Sequence, residues 1–186
     1  MLDICLLGTG GMMPMPSRFL TAMLARLNGR LALIDCGEGT QVTMKMLGWG
    51  FKAIDVICFT HFHADHISGL PGLLTIGNAG RTEPLTLIGP VGLQRIVEGL
   101  TLIAPELPFP IEYIELTQDA PNPISVGAFE IHHCPADHMV KCFAYRIDLK
   151  RKGKFDVKKA ERLKLPKPLW NKLQKEGSVE HEGKTY

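Results

Sequence analysis

Residues 60–66 read Thr60-His61-Phe62-His63-Ala64-Asp65-His66. Three imidazoles and a carboxylate fall within six residues. They follow the apolar run Ile54-Asp55-Val56-Ile57-Cys58-Phe59, which has the length and β-branched content of a strand. Side chains alternate along an extended backbone, so His61 and His63 share a face. Asp65 and His66 then belong to a tighter turn that opens a helix. Imidazole and carboxylate together suit zinc and similar divalent ions. The bland alternative is a polar surface loop. Three of the chain's seven histidines in one window at a strand end weigh against it.

Outward from this loop the chain alternates short apolar runs with turn signals. Residues 2–7 read as a buried strand ended by Gly8-Thr9-Gly10-Gly11, and a Met/Pro loop follows to about Arg18. The runs 20–27 and 30–35 flank Asn28-Gly29, a strong hairpin signal because a type I′ turn needs φ > 0 at both central residues. Residues 38–47 read as a helix stopped by Gly48. Residues 67–79 are expected to be helical, with Pro71 in the first turn. Strands are expected at 85–88, 111–116, 124–133 and 142–149, a helix at 91–103, and a loop at 134–141. This order points to an α/β or α+β layered domain.

The 186 residues fit one domain, with 45% apolar and 22% charged residues, which excludes a wholly disordered, collagen-like or coiled-coil chain. No apolar run reaches the ~18 residues that a membrane helix needs, and the N-terminus lacks the basic start of a secretory signal. Five cysteines, several inside apolar runs, read as reduced thiols of a cytoplasmic protein. The net charge of +2 hides an asymmetry: residues 1–149 carry −5 and residues 150–186 carry +7. An acidic body with a basic tail suits a polyanionic partner, and equally a solvated tail. We read 1–149 as the core and 150–186 as a basic arm.

The motif His-x-His-x-Asp-His after a strand resembles that of the metallo-β-lactamase superfamily, and its flanks resemble the ribonuclease Z family, endonucleases that trim the 3′ end of precursor tRNA. Leu6-Leu7-Gly8-Thr9-Gly10-Gly11 is similar to that family's first strand and glycine turn. Asp35-Cys36-Gly37-Glu38-Gly39-Thr40-Gln41 is similar to a second segment, and Ser68-Gly69-Leu70-Pro71-Gly72-Leu73 to the helix behind the motif. Asp137-His138 with Phe143-Ala144-Tyr145-Arg146-Ile147 resembles the third ligand segment, with Ala144 where Gly is usual. Pro168-Leu169-Trp170-Asn171-Lys172-Leu173 resembles part of the flexible tRNA-binding arm, with Lys167-Pro168 where Gly-Pro is usual.

The resemblance implies an αββα layered fold, present here without its C-terminal portion. It also implies two zinc ions: His61, His63 and His138 for the first, Asp65 and His66 for the second. Asp65 is in addition the catalytic candidate that orients or deprotonates water. A bridging Asp, a later His and a His-Glu pair belong to the family pattern beyond Tyr186, so one zinc or fewer and low activity are expected of this chain. Candidate substrate contacts are Ser17 and Arg18 in the first loop, and Lys164, Lys167, Trp170 and Lys172 in the arm. The basic residues at 150–154, 158–159, 162, 164 and 167 would make RNA binding salt-dependent. The expected partners are precursor tRNA, a second copy in a homodimer, and a further chain or segment that completes the metal site.

Two rival readings stand beside this one: a hydrolase of a small ester or cyclic phosphodiester, and a non-catalytic RNA-binding or subunit-complementing half-domain. His132 and His133 lie on a strand pattern, one expected inward and one outward, and neither as a ligand. Cys36 and Cys134 read as buried small hydrophobes, and His181 as solvated. The Gly8–Gly11 run lacks the spacing of a dinucleotide site and reads as a turn close to the metal loop.

Overall fold

The computed structural model describes residues 1–77, 81–103, 106–149 and 155–186. The chain divides into two compact units, Met1–Asp148 and Leu149–Tyr186. In the first, a six-stranded sheet runs in the order β1 (Leu2–Gly8), β2 (Ala22–Leu27), β3 (Arg30–Ile34), β4 (Ile54–Cys58), β5 (Leu85–Pro90) and β6 (Ile111–Leu116). β1–β2–β3 pair antiparallel and β3–β4–β5–β6 parallel. The turn between β2 and β3 has Asn28 at φ 51° and Gly29 at φ 81°, the two positive values that Asn-Gly supplies.

Parallel strands need crossovers, and these are helical. Helix α1 (Thr40–Leu47) joins β3 to β4. The next two, α2 (Ala64–Ile67) and α3 (Leu70–Gly77), join β4 to β5, and α4 (Leu93–Thr101) joins β5 to β6. One face of the sheet (Leu24, Leu31, Leu33, Ile57, Leu87) packs with Met44, Leu70, Leu73, Leu93 and Val97 from the helices. The other face (Ala25, Ala32, Val56, Cys58, Ile88, Leu116) packs with Ile124, Phe129 and Ile131 of a second, antiparallel sheet. That sheet consists of β7 (Ile124–Val126), β8 (Phe129–Ala136) and β9 (Cys142–Asp148). The described residues of this unit thus build helix, sheet and sheet layers of the metallo-β-lactamase type. β5, covered on both faces, is buried along its whole length.

Several boundaries differ from the sequence reading, each for a local reason. α1 starts at Thr40, after Gly39 at φ 89°. The helix expected at 67–79 starts at Leu70 as α3, set off from the single turn of α2 at Gly69, whose backbone lies against Gly37; residues 78 and 79 fall outside the described set. α4 stops at Thr101, leaving Leu102 and Ile103 exposed. The strand expected at 124–133 folds back at Gly127 (φ 55°) into β7 and β8, and β8 extends to Ala136, so the loop shrinks to 137–141.

The second unit covers the stretch read as a basic arm. It contains α5 (Val157–Arg162), α6 (Lys167–Glu176) and a two-stranded ribbon, β10 (Glu180–His181) with β11 (Lys184–Thr185). Ala160, Leu165 and Val179 are buried in it, a small core that the Lys-rich composition concealed. Asp156 caps α5 by accepting from the Lys159 amide at 2.9 Å. His181, expected in solvent, is half-buried on β10 beside Glu182. Residues 150–154, part of the basic stretch, lie outside the described set.

Two glycines make opposite predictions. A Cβ at Gly69 would stand 2.1 Å from the Gly37 carbonyl oxygen, so Gly69→Ala should cost about 3 kcal/mol through overpacking. A Cβ at Gly99 in α4 meets nothing within 4 Å, so Gly99→Ala should add roughly 0.5–1 kcal/mol through helix propensity. Urea-unfolding midpoints of the two variants read both signs.

Candidate metal centre

The loop between β4 and α2 is fixed before its side chains are considered. The Cys36 amide donates to the His66 carbonyl at 2.7 Å, and the Gly69 amide to the Cys36 carbonyl at 2.9 Å. A Cβ on Gly37 would lie 2.4 Å from the Asp65 carbonyl oxygen, an approach that only glycine allows. His63, extended at φ −66° and ψ 148°, precedes α2, so Asp65 and His66 fall in its single turn.

Asp35 organises the imidazoles. It sits just after β3 at φ 58°, a conformation that Asp tolerates better than most residues, and is 2% exposed. Its Oδ1 accepts from the Thr60 amide at 2.8 Å, and its Oδ2 from the Thr60 hydroxyl at 2.9 Å. Oδ2 also lies 2.8 Å from His66 Nδ1. A carboxylate cannot donate, so His66 Nδ1 carries a proton, and in the neutral ring Nε2 is left as a lone pair. Thr60 Oγ1, its own proton given to Asp35, lies 3.0 Å from His61 Nδ1 and accepts from it. His61 therefore also presents Nε2. This is the outer-shell arrangement that orients metal-binding imidazoles.

His61 Nε2 lies 3.0 Å from His63 Nδ1, which lies 3.4 Å from His138 Nε2. The three residues place ligand atoms within 4.8 Å of one another. Nitrogens at 2.0–2.1 Å from a tetrahedral zinc stand about 3.3 Å apart, so this donor set fits one. Asp65 and His66 form a neighbouring pair, with Asp65 Oδ2 3.7 Å from His66 Nε2. Asp65 Oδ2 also accepts from the Met12 amide at 3.0 Å, which ties the first loop to the site.

Electrostatics match these roles. Burial, then the neighbouring His66 and His63 imidazoles, lowers His61 to about 4, so it is neutral at pH 7. For His66 burial also acts downward, but the Asp35 hydrogen bond and the Asp35 and Asp65 charges outweigh it and raise the value. Burial acts upward on Asp65, yet the backbone amides and the His66 and His61 charges leave it below the ordinary range.

The remaining candidates are placed as follows. Ser17 is exposed at φ 65°. Arg18 is held by Thr9, donating to its carbonyl at 2.9 Å. In the second unit Lys164 and Lys167 are exposed, and Lys172 is exposed beside Glu176. Trp170 is half-buried, packs on Phe155, and donates its indole N–H to the Leu165 carbonyl at 2.8 Å, so it props that unit internally. His132 pairs with Asp148 at 3.1 Å and His133 Nε2 lies 3.2 Å from the Pro121 carbonyl; as successive residues of β8 they take opposite faces, His133 with buried Ile131 and against Phe143. Cys36 is buried, its thiol pushed up to about 12 by burial, while Cys134 is exposed, contrary to expectation, near the outer end of β8. The roles of Asp35, Thr60 and the Met12 amide were not read from the sequence. The signals available for Asp35 were an acid at the end of an apolar strand and its place at the head of the Asp35–Gln41 segment.

Comparisons with known proteins show what the chain is similar to. A family model described as Anti-Pycsar protein Apyc1 matches residues 2–97. A ribonuclease Z of Lachnospira eligens is 55% identical over 187 residues, and one of Agathobacter rectalis 56%. Each alignment covers 100% of this chain, and the chain spans 61% of each relative's length. The crystal structure of the human short-form tRNase Z is similar with a TM-score of 0.69 and 28% identity, over 80% of this chain and 65% of that one. The metallo-β-lactamase-fold protein YhfI of Bacillus subtilis, at 21% identity and a TM-score of 0.62, shares the fold over 79% of this chain and 58% of its own.

His61 makes the metal-free chain sensitive to acid. Between its folded value of about 4 and its ordinary 6.5 the unfolded chain binds the extra proton. Stability from this residue is complete above 6.5 and is lost as pH falls toward 4. His66 acts oppositely, contributing below 6.5 and losing that contribution as pH rises through its raised value. Urea midpoints of the metal-free chain should fall from pH 7 to pH 5, and His61→Asn should flatten that slope.

Proposed function

We propose, from the premise that this chain belongs to the ribonuclease Z family of the metallo-β-lactamase superfamily, and through residues 2–97 to the family described as Anti-Pycsar protein Apyc1, that it is the metal-binding part of a zinc-dependent endoribonuclease acting on the 3′ trailer of precursor tRNA. The observation that carries this is the convergence of His61 Nε2, His63 Nδ1 and His138 Nε2 on one point.

In this reading His61, His63 and His138 hold one zinc, and Asp65 with His66 supplies ligands to a second. Bound there, zinc acts as a Lewis acid toward the phosphodiester and lowers the pKa of water. Asp65 is held as an anion by the Met12 amide, which makes it a weak base but a firm acceptor, suited above all to fixing the orientation of water by a hydrogen bond. Asp35, through Thr60 and His66, keeps the imidazoles in the tautomers that present Nε2. Exposed Lys164, Lys167 and Lys172, with Ser17 and Arg18, are the proposed RNA contacts, mostly to the phosphate backbone. A homodimer and a cytoplasmic setting complete the proposal; the five free cysteines suit the latter.

A second reading, a half-domain that binds RNA and is completed by another segment, is favoured by one observation. The chain spans 61% of the relatives' length. The five proposed ligands among its described residues leave the second ion with only Asp65 and His66.

Zinc content per chain and cleavage of a precursor tRNA, read from one sample of the purified 186-residue chain, separate these readings. One zinc, no longer retained through purification by His138→Ala, and little cleavage are the expected result. Two tightly held zinc ions with robust cleavage would show that no further ligands are needed. RNA binding that persists at high salt would remove the electrostatic part of the proposal.

A further inference from the structure

Tyr145 lies outside every role assigned above. It sits on β9, half-buried, and its hydroxyl donates to the Phe59 carbonyl at 2.8 Å. Two residues before it, the Phe143 amide donates to the Thr60 carbonyl at 2.9 Å. Phe59 and Thr60 are the two residues that lead directly into His61. Phe59 is fully buried and its amide is taken by the Ile88 carbonyl at 2.7 Å, so its own carbonyl needs a donor that the sheet does not otherwise give. β9 belongs to the three-stranded sheet, whereas β4 belongs to the six-stranded one. These two hydrogen bonds therefore stitch one sheet to the other at the mouth of the metal loop.

The stitch bears on the third imidazole. His61 and His63 come from the end of β4, but His138 comes from the short loop 137–141 that runs into β9. The loop that carries His138, 3.4 Å by its Nε2 from His63 Nδ1, is held between the end of β8 and the start of β9, and the start of β9 is tied to Thr60. Backbone pairing within β8–β9 fixes β9 only inside its own sheet.

We propose that Tyr145 is a positioning residue of the first metal site, holding β9 and hence His138 in register with His61 and His63. This rests on the reading of those three histidines as zinc ligands. Removing the hydroxyl leaves the ring packed and the Phe59 carbonyl without this donor, so His138 gains freedom and the site loses preorganisation.

The test is zinc affinity of the full chain, measured by competition with a chromophoric chelator, for wild type, Tyr145→Phe and His138→Ala. All are measured where circular dichroism shows the metal-free chain fully folded, since a contact that only stabilises the fold does not move the affinity of folded protein. Tyr145→Phe should bind zinc about tenfold more weakly, between wild type and His138→Ala. Wild-type affinity in a folded Tyr145→Phe chain would overturn the assignment while leaving the ligand set intact. No zinc uptake by wild type would overturn both. Should Tyr145→Phe not fold, amide exchange at Phe143 in wild type decides. Coupling is reciprocal, so zinc should slow that exchange about tenfold, and an unchanged rate would overturn the proposal.

Discussion

A carboxylate that is 2% exposed is tolerable only when donors surround it, and Asp35 receives the Thr60 amide, the Thr60 hydroxyl and His66 Nδ1. That demand runs through the whole site. Meeting it fixes the proton on His66, turns the Thr60 hydroxyl into an acceptor for His61, and holds the residue before the histidine motif against the end of β3. Asp35 adopts positive φ to reach this place. A single buried charge thus orients one imidazole directly and a second through a hydroxyl, and the metal loop is assembled around it.

The layers serve the same end. Helices on one face and a small sheet on the other bury β4 and β5, so the chain leaving β4 emerges from a rigid edge. Histidines on a free loop would have to be ordered by the ion itself. Here the loop is anchored at Thr60, His66 and Gly69 by backbone hydrogen bonds to two other segments, Cys36 after β3 and Phe143 in β9. The ordering cost falls on folding rather than on metal uptake.

Much of this was legible in the sequence, for physical reasons that can be named. The Asn28-Gly29 hairpin, β6 and the end of α1 at Gly48 follow from local chemistry and needed no tertiary information. Period-two spacing put His61 and His63 on one side. What stayed hidden depends on contacts distant along the chain. The break at Ser68-Gly69 answers to the Gly37 backbone, and the fold-back at Gly127 to a backbone φ that periodicity does not report. Asp35 meets His66 across 31 residues, a pairing that no window contains. The two helices and the ribbon of the second unit could not be delimited from the sequence, because among its described residues three buried apolar positions lie scattered within a Lys-rich stretch, below what composition resolves.

The contact of Gly37 with Asp65 and of Gly69 with Gly37 involves main chain alone. Its consequence concerns how such a protein can change over time. At the rim, the exposed side chains of Met13 and Met15 are open to substitution, because a new side chain there extends into solvent. The seat of the metal loop offers no such latitude, since any Cβ at either glycine collides with backbone. Drift in this chain is thereby channelled toward the rim, where preference for one ligand over another can be rewritten, while the centre it surrounds keeps its shape.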